Sequence, residues 1–384
     1  MTRRALPLFA LALLVPMMSG AQTTPTRYIA FGDSITWGFG DDPNRAEQGY
    51  PPRLEALLNS RGVSAEVENR GLNNETTGEA LSRINSVLNN TPGDVLLLME
   101  GTNDINARVS NETIAANLDQ IAERAEARGM QVVHATLIPR HPGAMHDGNN
   151  RITADLAARI RELAWSEQRR LADPFEVFFF QTPNVFTTHY VGGSDRLHPN
   201  AVGYDLLARI FADVLTNVDN VPPVTGRIEP RDDAQGVPAT TPIRVDLYDF
   251  GTGIDLPATR LLINNQEVET PITGSSNKVE IRYDPPQPLT GVVFVGIRSR
   301  DMANPPNTIE RTLAQFVVAG TTFLRGDIDR DGRVDGADLL AFAPRFGARE
   351  GDGRYRTFAD LNDDGFIDGQ DLALLAANFG RSST

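Results

Sequence analysis

At 384 residues the chain exceeds one ordinary domain, and two or three are expected. A formal charge of −14 argues against nucleic acid and anionic membranes as partners, while a neutral polysaccharide or a small ester stays allowed. No cysteine is present, which excludes disulfides and thiol chemistry and leaves folding to packed cores and bound metal.

Residues 1–21 read as an export signal. Arg3 and Arg4 supply positive charge, residues 6–18 are almost wholly apolar, and Ser19-Gly20-Ala21 offers small residues for cleavage. The apolar run is broken by Pro7 and Pro16 and falls short of the ~20 residues a membrane span needs. The expectation is cleavage near Ala21 and a secreted protein, extracellular or periplasmic, with no membrane span. Losing Arg3 and Arg4 would take the side-chain charge from −14 to −16.

Residues 22–217 alternate short apolar runs, at 28–31, 95–99, 132–137 and 175–180, with helical patterns at 114–128 and 154–171. Gly129 is a helix stop. This alternation predicts an α/β domain, a parallel sheet covered by helices on both faces.

Four segments of this region answer one chemical need. Phe31-Gly32-Asp33-Ser34-Ile35-Thr36 follows the first predicted strand, where a glycine-flanked serine can sit on a tight, exposed turn. A serine hydroxyl needs a base to become a nucleophile. Asp195-Arg196-Leu197-His198 places a carboxylate and an imidazole three residues apart, so that Asp195 on a turn holds Nδ1 and Nε2 of His198 faces the serine. Acyl transfer also needs oxyanion donors. The Ser34 N–H, the Gly71 N–H after Glu68-Asn69-Arg70, and the Asn103 amide in Gly101-Thr102-Asn103-Asp104 are the candidates. Asp33 and Asp104 read as braces of these turns and His134 as a core residue. His141, His146 and His189 fall in loops, and Trp37 and Phe39 are either core or pocket wall.

This order of motifs resembles the SGNH (GDSL-type) hydrolases over about residues 26–217. The resemblance implies a three-layer, flavodoxin-like fold and a serine esterase with Ser34 as nucleophile, His198 as base and Asp195 orienting it. It also implies Ser34, Gly71 and Asn103 in the oxyanion hole, and no catalytic cofactor. The family usually shows a glycine soon after the Gly71 position, where Asn74 stands here.

After Pro222-Pro223 the helical pattern stops. Residues 222–318 read as short strands, at 243–247, 260–263, 279–283 and 292–297, separated by Gly, Pro and Asn, which predicts a β-sandwich. Asp249-Phe250-Gly251-Thr252-Gly253-Ile254-Asp255 and Arg300-Asp301-Met302-Ala303-Asn304 resemble bacterial immunoglobulin-like modules of secreted enzymes.

Residues 323–381 hold a repeat, with Gly326-Asp327 returning 33 positions later as Ala359-Asp360. Asp327, Asp329, Asp331, the Arg333 carbonyl, Asp335 and Asp338 occupy loop positions 1, 3, 5, 7, 9 and 12. Asp360, Asn362, Asp364, the Phe366 carbonyl, Asp368 and Asp371 repeat them. Calcium wants such an all-oxygen set, and Gly332 and Gly365 make the turn at position 6. Two structural Ca²⁺ ions are expected. With Asp at position 12 and one helix per loop, the region resembles the small all-α dockerin module of polysaccharide-degrading systems, which implies a cohesin-type partner. Gly336-Ala337 and Gly369-Gln370 replace the hydroxyl residues often found at positions 10 and 11, which argues against that partner.

The expected function is a secreted esterase that deacetylates a polysaccharide. The rivals are a lipase, lysophospholipase or thioesterase, and a non-catalytic binding or scaffolding protein with a vestigial esterase domain.

Overall fold

The computed structural model describes residues 24–140, 147–193, 195–320, 324–330, 332–349, 355–356, 358–362 and 364–382. The export segment, His141, His146, Asp331 and Phe323 therefore lie outside the described residues. Five strands form one parallel sheet in the order β2-β1-β3-β4-β5. They are β1 (Thr26–Gly32), β2 (Ala65–Gly71), β3 (Val95–Met99), β4 (Gln131–Ala135) and β5 (Arg170–Ala172). Every residue of β3 is buried, as expected of a strand covered on both faces.

The helices of this region are α1 (Ser34–Trp37), α2 (Tyr50–Ser60), α3 (Thr77–Asn90), α4 (Thr102–Asn106), α5 (Asn111–Glu126), α6 (Asp147–Ser166), α7 (Pro174–Glu176), α8 (Val185–Thr188) and α9 (Ala201–Leu215). A capping box between Thr76 and Glu79 starts α3, a device worth about 1 kcal/mol. The chain steps from β1 outward to β2 and then returns to β3 on the other side of β1. Such a reversal opens a crevice at the carboxyl ends of the strands. Gly32, Gly71 and Met99 are in register there, so the segments after β1, β2 and β3 emerge side by side.

Two expectations fail here. Residues 175–180 form no strand: α7 runs into a π-helical turn, Val177–Gln181. Asp173 caps Glu176 N–H, and Pro174 at the first helical position favours the helix. Leu171, read as the end of a helix, lies in β5, because α6 stops at Ser166.

Beyond residue 223 two antiparallel-based sheets share one apolar core. One has the order β13-β14-β10-β8 and the other β12-β11-β15-β16-β9. In chain order these strands are β8 (Val224–Glu229), β9 (Ala234–Val237), β10 (Ile243–Tyr248), β11 (Arg260–Ile263), β12 (Gln266–Val268), β13 (Ile272–Ser275), β14 (Lys278–Tyr283), β15 (Val292–Arg300) and β16 (Thr308–Val318). Buried charge joins this sandwich to the α/β region. Arg311 on β16 donates to both oxygens of Glu176 at 2.8 Å and stacks 3.6 Å over the Phe180 ring. Arg161 donates to Asp173 at 2.7 Å and to the Thr225 carbonyl at 2.6 Å.

The C-terminal part carries α10 (Gly336–Phe342) and α11 (Gly369–Asn378), each opened by a loop aspartate, Asp335 and Asp368. Its small core comprises Ile328, Val334, Phe342, Ala348, Ala359, Ile367 and Leu375. The two halves interlock: Gly380 N–H donates to the Val334 carbonyl, and Gly347 N–H to the Ile367 carbonyl, both at 2.7 Å.

Candidate active site

Ser34 is the first residue of α1, on the turn where β1 ends. Asp33 caps that helix by accepting the Ile35 N–H at 2.8 Å, and Gly38, at φ +106°, closes it in the left-handed region. As the first helical N–H, that of Ser34 has no acceptor among the described residues. Gly32 is obligatory beneath the turn, since a Cβ there would stand 2.1 Å from the Met99 carbonyl oxygen.

His198 reaches Ser34 from β7 (Asp195–Pro199), which pairs with β6 (Tyr190–Gly192) as a short ribbon rather than a simple turn. Asn200 anchors the ribbon. Its amide donates to the Thr188 and Tyr190 carbonyls while its Oδ1 caps α9. The Ser34 hydroxyl lies 2.9 Å from His198 Nε2, and His198 Nδ1 lies 2.9 Å from Asp195 Oδ2. Burial would raise the Asp195 carboxyl, but the His198 and Leu197 N–H groups and the His198 ring outweigh it and hold it below its ordinary value. An ionised carboxylate is therefore available to fix the imidazole tautomer.

Asn103 sits in α4, and its amide donates to the Glu75 carbonyl at 2.8 Å, leaving a second N–H for another acceptor. Asp104 holds the first turn of α3 through Thr77, at 2.8 Å to the N–H and 2.6 Å to the hydroxyl. Gly71 departs from its expected role. Its N–H is engaged with Asn69 Oδ1 at 2.9 Å, and a Cβ there would stand 2.1 Å from the Trp37 nitrogen, so its smallness serves packing of β2 against α1. Asn74, at φ +62°, takes the left-handed conformation that asparagine tolerates, beside the Glu75 carbonyl that Asn103 holds.

Trp37 and Phe39 are surface residues, and Phe39 flanks the imidazole with ring centroids 4.4 Å apart. His134 is fully buried in β4, and burial pushes its imidazole down to about 3. His189 pairs with the Thr188 hydroxyl at 2.7 Å through Nδ1, away from the Ser34 contact.

Two buried ionisable residues electrostatically linked to Asp33, namely Glu100 and Arg140, are not indicated by the motifs. Glu100, wholly buried between Met99 and Gly101, is pushed well above the carboxylate range by burial and by the charges of Asp33 and Glu75. Burial likewise raises Asp33. Arg140 donates to the Thr102 carbonyl at 2.7 Å, and burial pushes it down to about 10. The readable signal was a carboxylate ending an apolar strand.

A hydroxyl, an imidazole and a carboxylate in sequence, at the end of a parallel sheet, are an arrangement capable of acyl transfer. Residues 30–206 match the model of the GDSL-like lipase/acylhydrolase family. The chain carries a GDSL-like hydrolase domain. It is an ester hydrolase. An arylesterase of Vibrio mimicus is 23% identical over 202 residues, covering 52% of this chain and 92% of that protein. Among solved structures, a lipolytic G-D-S-L family protein from Veillonella parvula aligns at TM-score 0.43 and 21% identity, covering 50% of this chain and 98% of that one. A carbohydrate acetylesterase family member from Sinorhizobium meliloti aligns at TM-score 0.41 and 20% identity, covering 50% and 98%.

Residues 325–379 match the dockerin type I domain. The hydrolase domain is thus followed, beyond the sandwich, by a dockerin, a calcium-binding domain. Its two loops are built alike. Asp338 accepts the Asp329 N–H at 3.0 Å and the Asp335 N–H at 2.7 Å, while Asp371 accepts those of Asn362 at 3.2 Å and Asp368 at 2.8 Å. Gly332 and Gly365 donate to Asp327 and Asp360 from left-handed backbone at φ +89° and +85°. Carboxylate oxygens of Asp327, Asp329 and Asp338 lie within 4.8 Å of one another, which suits one calcium ion. In the second loop Asn362 takes position 3 and donates to Asp364 at 2.9 Å. Arg333 and Phe366, at position 7, form bridges with Ser382 and Arg349. Leu339 and Leu340 of α10 are exposed.

Proposed function

We propose that the chain is a secreted serine esterase that removes acetyl groups from a polysaccharide, with Ser34, His198 and Asp195 as its triad. The observation that carries the triad is the pair of 2.9 Å contacts, Ser34 Oγ to His198 Nε2 and His198 Nδ1 to Asp195 Oδ2. His198 takes the hydroxyl proton as Ser34 Oγ attacks the ester carbonyl. The Ser34 N–H and the Asn103 amide receive the oxyanion, with the Asn74 N–H as third donor in place of Gly71. Collapse expels the alcohol, which takes the proton from His198 and leaves an acetyl-enzyme. Water, giving its proton to His198, then releases acetate and restores the serine. No step calls on a metal, and calcium in the two loops is structural.

The polysaccharide substrate is supported by the dockerin and by the site rim. Ser34 is buried at 6% exposure and His198 half-buried, and exposed Phe39 beside the imidazole offers an aromatic face for a sugar ring. A cohesin-type partner fits the exposed Leu339 and Leu340, which would supply apolar contact where hydroxyls are missing. Export follows from residues 1–21.

The exposed Trp37, Leu72 and Val191 favour one second reading, an acylhydrolase for longer chains. Turnover of acetylated xylan and of aryl esters from acetyl to octanoyl and longer, by the wild type and Ser34→Ala, separates the two. Acetyl esters should give the higher kcat/KM, and Ser34→Ala should abolish turnover of all of them. A preference for octanoyl or longer esters overturns the deacetylase reading and leaves the triad standing.

A further inference from the structure

We propose that Asp219, Asp249 and Asp301 bind one divalent cation of the calcium class at the seam between the hydrolase domain and the sandwich. The three belong to separate segments: the linker after α9, the end of β10 in one sheet, and the end of β15 in the other. One carboxylate oxygen from each lies within 4.8 Å of the others. Oxygens bound to one Ca²⁺ at 2.3–2.6 Å are at most about 5 Å apart, so a single ion reaches all three.

The hydrogen bonds show which oxygen is left over. Asp249, 3% exposed, accepts the Gly251 and Gly253 N–H groups at 2.9 and 2.8 Å, both on Oδ1. Its Oδ2 is buried and has no hydrogen-bond partner among the described residues. Asp301, 1% exposed, accepts only neutral donors, from Ala303 and Asn307. Asp219 accepts the Thr252 N–H and hydroxyl, both at 2.7 Å, and the Val221 N–H at 3.4 Å. Among the described residues no Lys or Arg forms an ion pair with any of the three, while other carboxylates at this seam, Asp173 and Glu176, have arginine partners.

A buried carboxylate with no counter-charge, one of whose oxygens has no donor, is costly unless a cation neutralises it. The loop is shaped around the cluster: a Cβ at Gly251 would stand 2.3 Å from the Asp219 carboxylate, and Gly253 lies at φ +98°. The donor set is oxygen only, which selects a hard cation over zinc or copper, and the irregular loops suit calcium better than octahedral magnesium. A bound ion would tie the linker at residues 216–223 to both sheets, reinforcing the 3.2 Å bond from Asn307 to the Asp219 carbonyl.

The dockerin loops also hold calcium, so the count must isolate this site. Full-length protein carrying Asp327→Asn and Asp360→Asn is stripped with chelator and dialysed to equilibrium against radioactive calcium. It should retain one ion per chain more than the same protein carrying Asp249→Asn as well. Calcium should raise the unfolding temperature of the first protein and leave the second unmoved. Equal counts in two proteins with the same circular dichroism overturn the proposal. Should Asp249→Asn fail to fold, Asp219→Asn, on the less buried partner, must remove the same ion, and retention of it is equally fatal.

Discussion

The hydrolase domain and the dockerin use one local device for two purposes. Asp195 accepts N–H groups from Leu197 and His198, each at 3.0 Å, and turns its other oxygen to the imidazole. Asp338 and Asp371 accept N–H groups from the start of their own loops, where calcium ligation is proposed. In each case the backbone fixes a carboxylate in advance, so little ordering remains when proton or cation arrives. The difference is distance along the chain. A dockerin loop closes within twelve residues, whereas His198 meets a serine 164 positions away. The loop contacts are therefore local, and the proposed triad depends on the whole sheet.

The comparison is tested most severely at Asp195. Asp195→Asn can keep its backbone bonds while losing the charge that holds the Nδ1 proton, and kcat should fall by about 10⁴. A loss under tenfold would mean that Asp195 shapes the ribbon and does not orient the imidazole. Asn103→Ala should lower kcat by ~10²–10³ with KM little changed, the usual result of losing one oxyanion donor. If only KM rises, Asn103 holds the ground state.

Chelation should leave kcat/KM within about twofold while melting the dockerin, because the loops lie far from Ser34 in sequence and outside the acyl-transfer steps. Ester turnover and circular dichroism on the full-length chain, with and without chelator, supply both readings. A collapse of turnover would tie calcium to the chemistry.

The smallest effect concerns His134. Its folded value near 3 lies below the ordinary 6.5, so between these the unfolded state binds the extra proton. Stability should therefore decline as pH falls from about 6.5 toward 3, and His134→Gln should flatten that slope in urea melts. An unchanged slope assigns the acid sensitivity to other groups.

The same contrast governs what could be read from residues alone. Loop positions 1 to 12, the glycines at position 6 and the helix starts at Asp335 and Asp368 are short-range, and their spacing carried them. Ser34, Asn103 and Asp195/His198 were legible as candidates because each motif sits at a strand end or connection, and the structure brings Ser34, His198 and Asp195 together. The misreadings arose where context decides. The Phe-rich run at 175–180 has the composition of a buried strand, but Asp173-Pro174 starts a helix and Phe180 faces Arg311. Gly71 is required by the backbone of α1, a contact invisible without the fold. Glu100 and Arg140 are buried beside Asp33, and only packing reveals them.

The Arg311–Glu176 clamp bears on how such chains exchange modules. Glu176 is 1% exposed, and its bidentate partner belongs to the sandwich. Recombination at Pro222-Pro223, the natural cut by composition, would transplant Glu176 with Arg161, 3.8 Å away, but without the bidentate Arg311. Loss of that closer, two-pronged partner destabilises the transplanted domain, which has only a small margin to lose. The inheritable unit is then the hydrolase together with the sandwich, and a graft that replaces the sandwich must bring its own cation to Glu176.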